Sequence, residues 1–289
     1  MLQVAGLLLV AALVFGALLH TGGPVVAEAL PIELTLIGGA ALGVLMIANA
    51  PAIAADALSG FWRVFRGPSW KRADYQDLLV LLHGLMSDAR RGGVLAIEAD
   101  IEAPSKSRLF QAAPKTLADP AATDMICGAF RLAALGLSDR QRAEEGLERA
   151  AAAEFERRMK AVGALNAVAD ALPALGIVAA VIGIIRTMGA IDQAPSVVGA
   201  MIAAALLGTF IGVFLAYGVV GPIAARFGQI IETDAERLEA IRAALSAYLA
   251  GLAPSACVEI ARNGLPEELR PDGDALSRAR EAARFKAAA

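Results

Sequence analysis

The sequence predicts an all-α integral membrane protein with four transmembrane helices in two hairpins and a helical cytoplasmic domain. The 289-residue chain is 57% hydrophobic, with a mean hydropathy of +0.58, which is too apolar for one ordinary soluble domain. Residues 197–225 contain no Asp, Glu, Lys or Arg, and about 20 apolar helical residues cross a bilayer core. A charged region with helical periodicity separates the apolar regions.

These patterns divide the chain into four segments. Residues 1–53 are predicted to form the first transmembrane hairpin and residues 161–225 the second. Residues 54–160 are predicted to form a cytoplasmic helical insertion, and residues 226–289 a cytoplasmic helix followed by a flexible tail.

The first hairpin begins with an uncharged span, residues 1–19. A signal peptide is the competing interpretation, but no Lys or Arg precedes this span and no small-residue cleavage motif follows it. A turn is predicted at residues 20–24, and a second span at residues 32–53. Glu33 is the one ionisable residue in that span. Because it lies two residues from Pro31, we expect water to solvate it at the membrane interface, and we do not predict it to be the ion carrier.

The distribution of basic residues predicts the orientation of the spans. Arg63, Arg66, Lys71 and Arg72 follow the second span, whereas residues 20–27 contain no Lys or Arg. Because basic residues concentrate on the cytoplasmic side, residues 63–72 and both termini are expected in the cytoplasm.

The cytoplasmic segments show amphipathic helical patterns. A leucine-rich stripe over residues 75–90 is interrupted by Gly92 and Gly93, and residues 94–101 alternate acidic and apolar side chains. Ser138 and Gln141 have capping-box spacing at the start of a long helix expected to continue into the third span. After residue 226 another amphipathic helix should end near Gly251, and the tail beyond residue 271 is expected to be flexible.

The second hairpin combines small residues with two prolines. Gly176 and Gly183 lie on one face of the third span, and Gly208 and Gly212 form a GxxxG motif in the fourth. Small residues allow membrane helices to approach closely, so we expect tight packing and oligomerisation.

Pro173 lies near the start of the third span and Pro222 near the end of the fourth. Each removes a backbone donor and favours a bend or a helix boundary.

The sequence offers no support for an enzyme. It contains no phosphate-binding loop, nucleophile elbow or HExxH motif, so no catalytic residue is predicted. His20 and His83 lie on opposite sides of the predicted membrane, and Cys127 and Cys257 form no CxxC, so neither a metal site nor a cofactor is expected. A net charge of −3 without a basic block argues against nucleic acid as a partner.

Thr209 is the main polar group within the fourth span. Its hydroxyl could line a water path or bond the carbonyl one helical turn earlier. The residues alone favour the second interpretation.

The second hairpin resembles the flagellar stator A subunit, the MotA family. The matching order is LPALGIVAAVIG, a turn containing Asp192, then LLGTFIGVFLAYG and Pro222. The resemblance extends to PIELTLIGGAALGVLMIANAP in the first hairpin, DLLVLLHGLMSDARRGGVLAIEADIEAP in the insertion and YLAGLAPSACVEIAR near the C-terminus.

This resemblance implies a multi-pass subunit of the bacterial inner membrane that acts in flagellar rotation and chemotaxis. Such a subunit forms a proton channel with MotB, a single-span partner anchored to peptidoglycan, and converts ion flow into torque on the rotor protein FliG. Family members form a homopentamer around two MotB chains. The resemblance further implies that the energy source is the transmembrane proton gradient and that the protonatable aspartate belongs to MotB.

The resemblance also implies roles for individual residues. Thr209 is expected to face the ion pathway. Ala180 occupies the place of a threonine in sodium-driven relatives, and because alanine offers no hydroxyl oxygen to a hard cation, proton use is favoured.

Further matches concern movement. Pro173 and Pro222 match two prolines implicated in coupling ion passage to movement. Arg90 and Glu98 match the charged residues that engage the rotor.

Three alternatives are weighed against this interpretation. An energiser of the TolQ or ExbB type also surrounds a partner with an intramembrane acid, but it resembles a three-span design. A small secondary transporter would usually have more spans and paired interrupted helices. A passive scaffold remains open on physical grounds.

Overall fold

The computed structural model describes residues 2–134 and 140–288, with side chains for all of these except residues 21–24, 140 and 284–288. Throughout these ranges the regular elements are helices, which confirms the predicted all-α class. In chain order they are α1 (Leu2–Ala48), α2 (Pro51–Arg66), α3 (Arg72–Gly92), α4 (Glu98–Glu102), α5 (Arg108–Gln111), α6 (Pro114–Leu117), α7 (Pro120–Ala134), α8 (Arg140–Met188), α9 (Pro195–Phe214), α10 (Gly221–Leu249), α11 (Pro254–Gly264) and α12 (Gly273–Ala288). Short 3₁₀ turns occupy Val94–Ile97 and Pro104–Lys106, and a π-helical turn, Leu215–Val220, joins α9 to α10.

The chain folds as two compact units. Met1–Gly67 and Arg157–Ile230 form one, here called the apolar unit, and Pro68–Glu156 and Ile231–Ala289 form the other, here called the lobe. Helices α8 and α10 each contribute residues to both units. The division into four sequential segments stays a prediction.

Four helical stretches in the described residues are long and apolar enough to cross a membrane. They are Leu2–His20, Val25–Ala48, and windows within Gln141–Met188 and Pro195–Leu249. Many large apolar side chains of α8 are exposed, namely Ile177, Val178, Val181, Ile182, Ile184 and Ile185. A continuous apolar surface of this kind suits contact with lipid or with another subunit.

Helix α1 differs from the predicted first hairpin, because it continues through residues 20–24 without a turn. At 47 residues it is about 70 Å long, more than twice the thickness of a bilayer core. None of the Leu2–His20 window is buried, so few tertiary contacts are present that could turn this segment back against the rest of α1. The continuous helix satisfies its backbone hydrogen bonds internally, and the Gly22–Gly23–Pro24 sequence does not end it. At its other end α1 stops at Ala48 rather than near residue 53, because Pro51 begins α2.

The core of the lobe is built on α3. Its leucine stripe is buried as predicted, including Leu78, Leu79, Leu82 and Leu85, each with 0% exposure. The predicted interruption is also confirmed, because α3 ends at Gly92 and the next residue, Gly93, has a φ of +70°. Glycine adopts this left-handed region without the steric cost that a side chain imposes.

Helix α8 and the C-terminal helix complete the fold. Helix α8 continues without interruption into the apolar third segment, as predicted, and a Glu145–Arg149 ion pair of 2.8 Å lies on its surface. The predicted capping residue Ser138 lies outside the described residues. The prediction of a flexible tail is wrong: residues 273–288 form α12, because Leu276 is fully buried in the core of the lobe.

Candidate functional site

Helices α8 and α9 pack against each other in antiparallel order within the apolar unit. Proceeding along α8, Leu172 faces Gly212, Gly176 faces Gly208 and Gly212, and Gly183 faces Ala205. The residue numbers rise on one helix as they fall on the other, as expected for neighbours joined by the short connection at residues 189–194.

The glycines bring the two backbones into direct contact. A Cβ atom at Gly176 would lie 2.8 Å from the carbonyl oxygen of Gly208, and one at Gly212 would lie 2.6 Å from the carbonyl oxygen of Leu172. A Cβ at Gly183 would lie 2.6 Å from that of Ala205. Because two of these neighbours are backbone atoms that cannot rotate away, larger residues would force the helices apart.

Thr209 lies half-buried at this contact, and its Cα would be 3.3 Å from a Cβ at Gly176. The sequence alone favoured a hydrogen bond from its hydroxyl to the preceding turn. Such bonds do occur elsewhere: Thr187 donates to Gly183 O at 2.9 Å, and Thr35 donates to Pro31 O at 2.8 Å. Among the described residues, however, the Thr209 hydroxyl has no hydrogen-bond partner. It is therefore free to bind water or a group from another chain.

Glu33 and Ala180 lie close to Gly208, the residue before Thr209 in the chain. A Cβ at Gly208 would lie 3.0 Å from Oε2 of Glu33 and 3.3 Å from the backbone nitrogen of Ala180. Oε2 of Glu33 is buried and has no hydrogen-bond partner in the described part of the chain. The residue as a whole is half-buried, and its solvation at the membrane interface stays a prediction.

Sequence reasoning thus identified Ala180 but not the position of Glu33, which lies near the same glycine, Gly208. The available signal was that Glu33 is the one ionisable residue in an apolar span. The burial of its carboxylate could not be read from the sequence, because that burial depends on which helix covers it. Here Glu33 on α1 faces Gly208 on α9, where the absent side chain leaves room for it.

The two prolines affect the backbone differently. Helix α8 continues through Pro173, which is half-buried. Pro222 instead follows the π-helical turn Leu215–Val220, and the Gly221 N–H donates to Ala216 O, five residues earlier. Because proline has no N–H to donate to the carbonyl four residues back, widening the turn gives the neighbouring carbonyls another partner. A Cβ at Gly221 would lie 2.9 Å from Ala216 O, so this turn favours glycine there.

The beginning of α10 packs on α2 in the same unit. A Cβ at Gly60 would overlap the ring of Phe227, and the Arg63 guanidinium lies 6.0 Å from that ring centroid. The rotation of α10 after the π-helical turn therefore determines whether Phe227 meets Gly60.

Arg90 and Glu98 lie on the lobe, and both are exposed. Arg90, in the last turn of α3, donates from Nη1 to the carbonyl oxygen of Leu252 at 3.2 Å. Glu98 begins α4, and its carboxylate has no partner within the described ranges. The Gly92–Gly93 break separates these two residues into different elements.

Both cysteines are free and buried. Burial raises the pKa of the Cys127 thiol to about 11, so the thiol stays protonated and unreactive at neutral pH. No group of three metal-ligating side chains converges in the described residues.

Two family models match the chain. The motility protein A N-terminal model covers residues 4–93, and the MotA/TolQ/ExbB proton channel family model covers residues 122–240.

Curated relatives align over nearly the whole length. Motility protein A of Escherichia coli (strain K12) is 35% identical over 94% of this chain and 92% of its own. Motility protein A of Salmonella typhimurium is 34% identical over the same shares. The chemotaxis protein LafT of Vibrio parahaemolyticus is 33% identical over 92% of this chain and 93% of its own.

Two solved structures share the fold. The structure of C. jejuni MotAB superposes with a TM-score of 0.69 at 20% identity, covering 92% of this chain and 95% of that chain. The flagellar MotAB stator complex from Bacillus subtilis gives a TM-score of 0.68 at 20% identity, covering 93% and 98%.

Proposed function

We propose that this chain, which belongs to the MotA/TolQ/ExbB proton channel family, is the A subunit of a flagellar motor stator. It is an ion-channel subunit and not an enzyme. The observation that carries the proposal is the close α8–α9 contact with an unpartnered Thr209 hydroxyl beside it. Full-length similarity to motility proteins favours this function over an energiser of the TolQ or ExbB type.

The proposed partner is a MotB-type single-span subunit anchored to peptidoglycan. The two structural neighbours are MotAB complexes, and we extend that partnership to this chain. The exposed apolar side chains of α8 and α9 provide surfaces for neighbouring copies and for the partner helix. We propose a homopentamer around two such partners, driven by the transmembrane proton gradient without a cofactor.

Protons are proposed to pass beside Thr209. An intramembrane acid on the partner needs water or polar groups at its depth, and the Thr209 hydroxyl supplies one. Ala180, next to Gly208, adds no oxygen ligand, which supports proton use over sodium use. Glu33 contributes a second polar group to the same region.

Removing the Thr209 hydroxyl is the experiment that tests this function. Thr209→Val keeps the shape of the side chain, and we expect it to lower proton flux through the chain and its MotB-type partner several-fold. The measurement is proton uptake into cells expressing the complex, together with swimming of a stator-deletion strain complemented by each variant.

Thr35→Val is the matched control for Thr209→Val. The Thr35 hydroxyl already bonds the carbonyl of Pro31, so its loss should leave flux near the unsubstituted level. Unchanged proton flux in Thr209→Val would show that Thr209 has only a packing role. Failure of the unsubstituted chain to restore swimming with its cognate partner would count against the stator function itself.

The proposed rotor contact uses Arg90 and Glu98 as exposed charges. Exposed charge pairs contribute about 0–1 kcal/mol each, so they suit transient engagement of FliG rather than tight binding. We expect Arg90→Glu or Glu98→Lys to reduce torque while leaving assembly and proton flux intact. Torque from bead rotation is the measurement, and a compensating charge reversal on the rotor should restore part of it.

Asp100→Lys is the matched control, because it reverses an acidic residue on the same short helix as Glu98. Loss of the oligomer or of proton flux in Arg90→Glu or Glu98→Lys would make these residues structural.

The proposed location is the bacterial inner membrane, with four spans and both termini in the cytoplasm. Because α1 is about twice as long as one span, two crossings require it to bend in the membrane. Gly22, Gly23 and Pro24 are where a helix breaks most readily. A cysteine at Gly22 should therefore react with an impermeant thiol reagent from the periplasm, and one at Arg90 only after the cells are opened. The reverse labelling pattern would show that the topology is inverted.

A further inference from the structure

The lobe contains a cavity of about 750 Å³ whose lining is strongly basic. It lies between α3, α12 and the beginning of α11. The basic side chains that line it are His83, Arg90, Arg91 and Arg280. Cavities of about 300–1,000 Å³ are the usual size for sites that bind small organic molecules.

The positive charge in this cavity is not neutralised by its own lining. Asp88 is the acidic residue among the lining side chains, and one of its oxygens lies 2.5 Å from Nη2 of Arg91. Arg90 bonds a neutral carbonyl oxygen, that of Leu252, and so keeps its charge. Arg280 likewise has no acidic partner in the described part of the chain.

Arg280 also has a buried donor without an acceptor. Its Nε is inaccessible to solvent and has no hydrogen-bond partner in the described residues. A buried polar group left unpaired costs about 1–3 kcal/mol, more when it is charged. The terminal nitrogens of the same guanidinium are not among the buried atoms and have no hydrogen-bond partner within the described ranges. An anion in the cavity would therefore bond to them, and the planar guanidinium fork matches phosphate oxygens.

Two further features select the kind of anion. Pro254, the first residue of α11, lines the cavity, so the positive end of that helix adjoins it. Val80 and Leu109 supply an apolar wall. A phosphate group would meet the arginines while an organic portion contacted this wall.

We propose that this cavity binds a phosphate-bearing small molecule. The binding rests on the lobe alone and does not depend on a stator function. Because Arg90 lines the cavity, a bound phosphate would also neutralise one of the charges assigned to rotor contact.

Pyrophosphate is the probe for this site, used with the full-length chain purified in detergent together with its MotB-type partner. Isothermal titration should detect saturable binding, and Arg280→Gln should weaken it at least tenfold. Arg280→Lys keeps the charge but loses the planar fork, so its affinity should lie between those of the unsubstituted chain and Arg280→Gln. This second variant shows that a loss of binding in Arg280→Gln is not caused by misfolding.

Arg278→Gln is the matched control, since Arg278 is exposed on the same helix and does not line the cavity. It should change the affinity less than twofold. Equal affinity in Arg280→Gln and Arg278→Gln, or no binding of pyrophosphate, would overturn the proposal. Binding of a polyglutamate peptide without binding of pyrophosphate would overturn it too, by making the cavity a protein-docking surface.

Nanodiscs separate two sources of the phosphate group. If pyrophosphate binds equally in phosphatidylcholine and phosphatidylglycerol discs, the ligand is a soluble phosphate ester. If phosphatidylglycerol displaces it, the phosphate of a lipid headgroup occupies the same site.

Discussion

Replacing Pro222 by alanine is expected to reduce swimming nearly to the level of a stator-deletion strain while leaving the protein in the membrane. Alanine restores the N–H that can donate to the Gly218 carbonyl, so the π-helical turn Leu215–Val220 can revert to regular helix. Removing the extra residue of a π-turn rotates the remainder of the helix by about 100°. Phe227 would then no longer face Gly60.

Pro173→Ala is expected to act in the same direction, since Pro173 leaves one carbonyl of α8 without its helical donor close to the Leu172–Gly212 contact. Neither substitution reduces hydrophobicity, so insertion should be unchanged. The measurements are swim-plate expansion and the amount of each variant in membrane fractions. We propose on this basis that both prolines couple ion passage to movement.

Pro195→Ala is the matched control for both substitutions. Pro195 is the first residue of α9, where a backbone N–H has no helical acceptor, so restoring that donor should leave swimming intact. Normal swimming by Pro222→Ala and Pro173→Ala at normal protein levels would exclude a coupling role for them.

Replacing Arg237 by methionine is expected to destabilise the lobe by about 3–5 kcal/mol, because breaking a buried ion pair leaves a charge without its partner. The Arg237 side chain is 4% exposed, and its Nε donates to Oδ2 of Asp119 at 2.5 Å. Its guanidinium also donates to the carbonyl oxygen of Asp234, whose own carboxylate accepts from the Ser69 N–H at 2.8 Å. Methionine keeps much of the volume but supplies none of these donors.

Hydrogen exchange measures this loss within the intact protein. Amides of α3 and α7 that exchange through opening of the lobe should do so about 10²–10⁴ times faster in Arg237→Met. In the control Arg242→Met, the lost partner is the half-exposed Glu239 on the same helix, so the cost should stay below about 1 kcal/mol. Equal protection in both variants would show that the Arg237 network contributes little.

The features that the sequence predicted well are those with local causes. Apolar length and composition indicated helices long and apolar enough to cross a membrane, and the leucine stripe of α3 was identified because helical periodicity reports the buried face. The ends of α3 and α10 follow from Gly93 and Gly251, both of which have positive φ. Composition gave the wrong prediction for the C-terminal tail, because it does not report that α12 packs on α3 with Leu276 buried in the core of the lobe.

The sequence by itself determined the helical class, the apolar segments and the small residues that permit close packing, because each is encoded within a few turns of one helix. Tertiary structure decided which distant groups meet. Arg237 pairs with Asp119 across 118 residues, and Glu33 on α1 reaches Gly208 on α9. The periodicity of apolar residues identifies which face of a helix a side chain occupies. Its burial and its partner depend on the helix that covers that face.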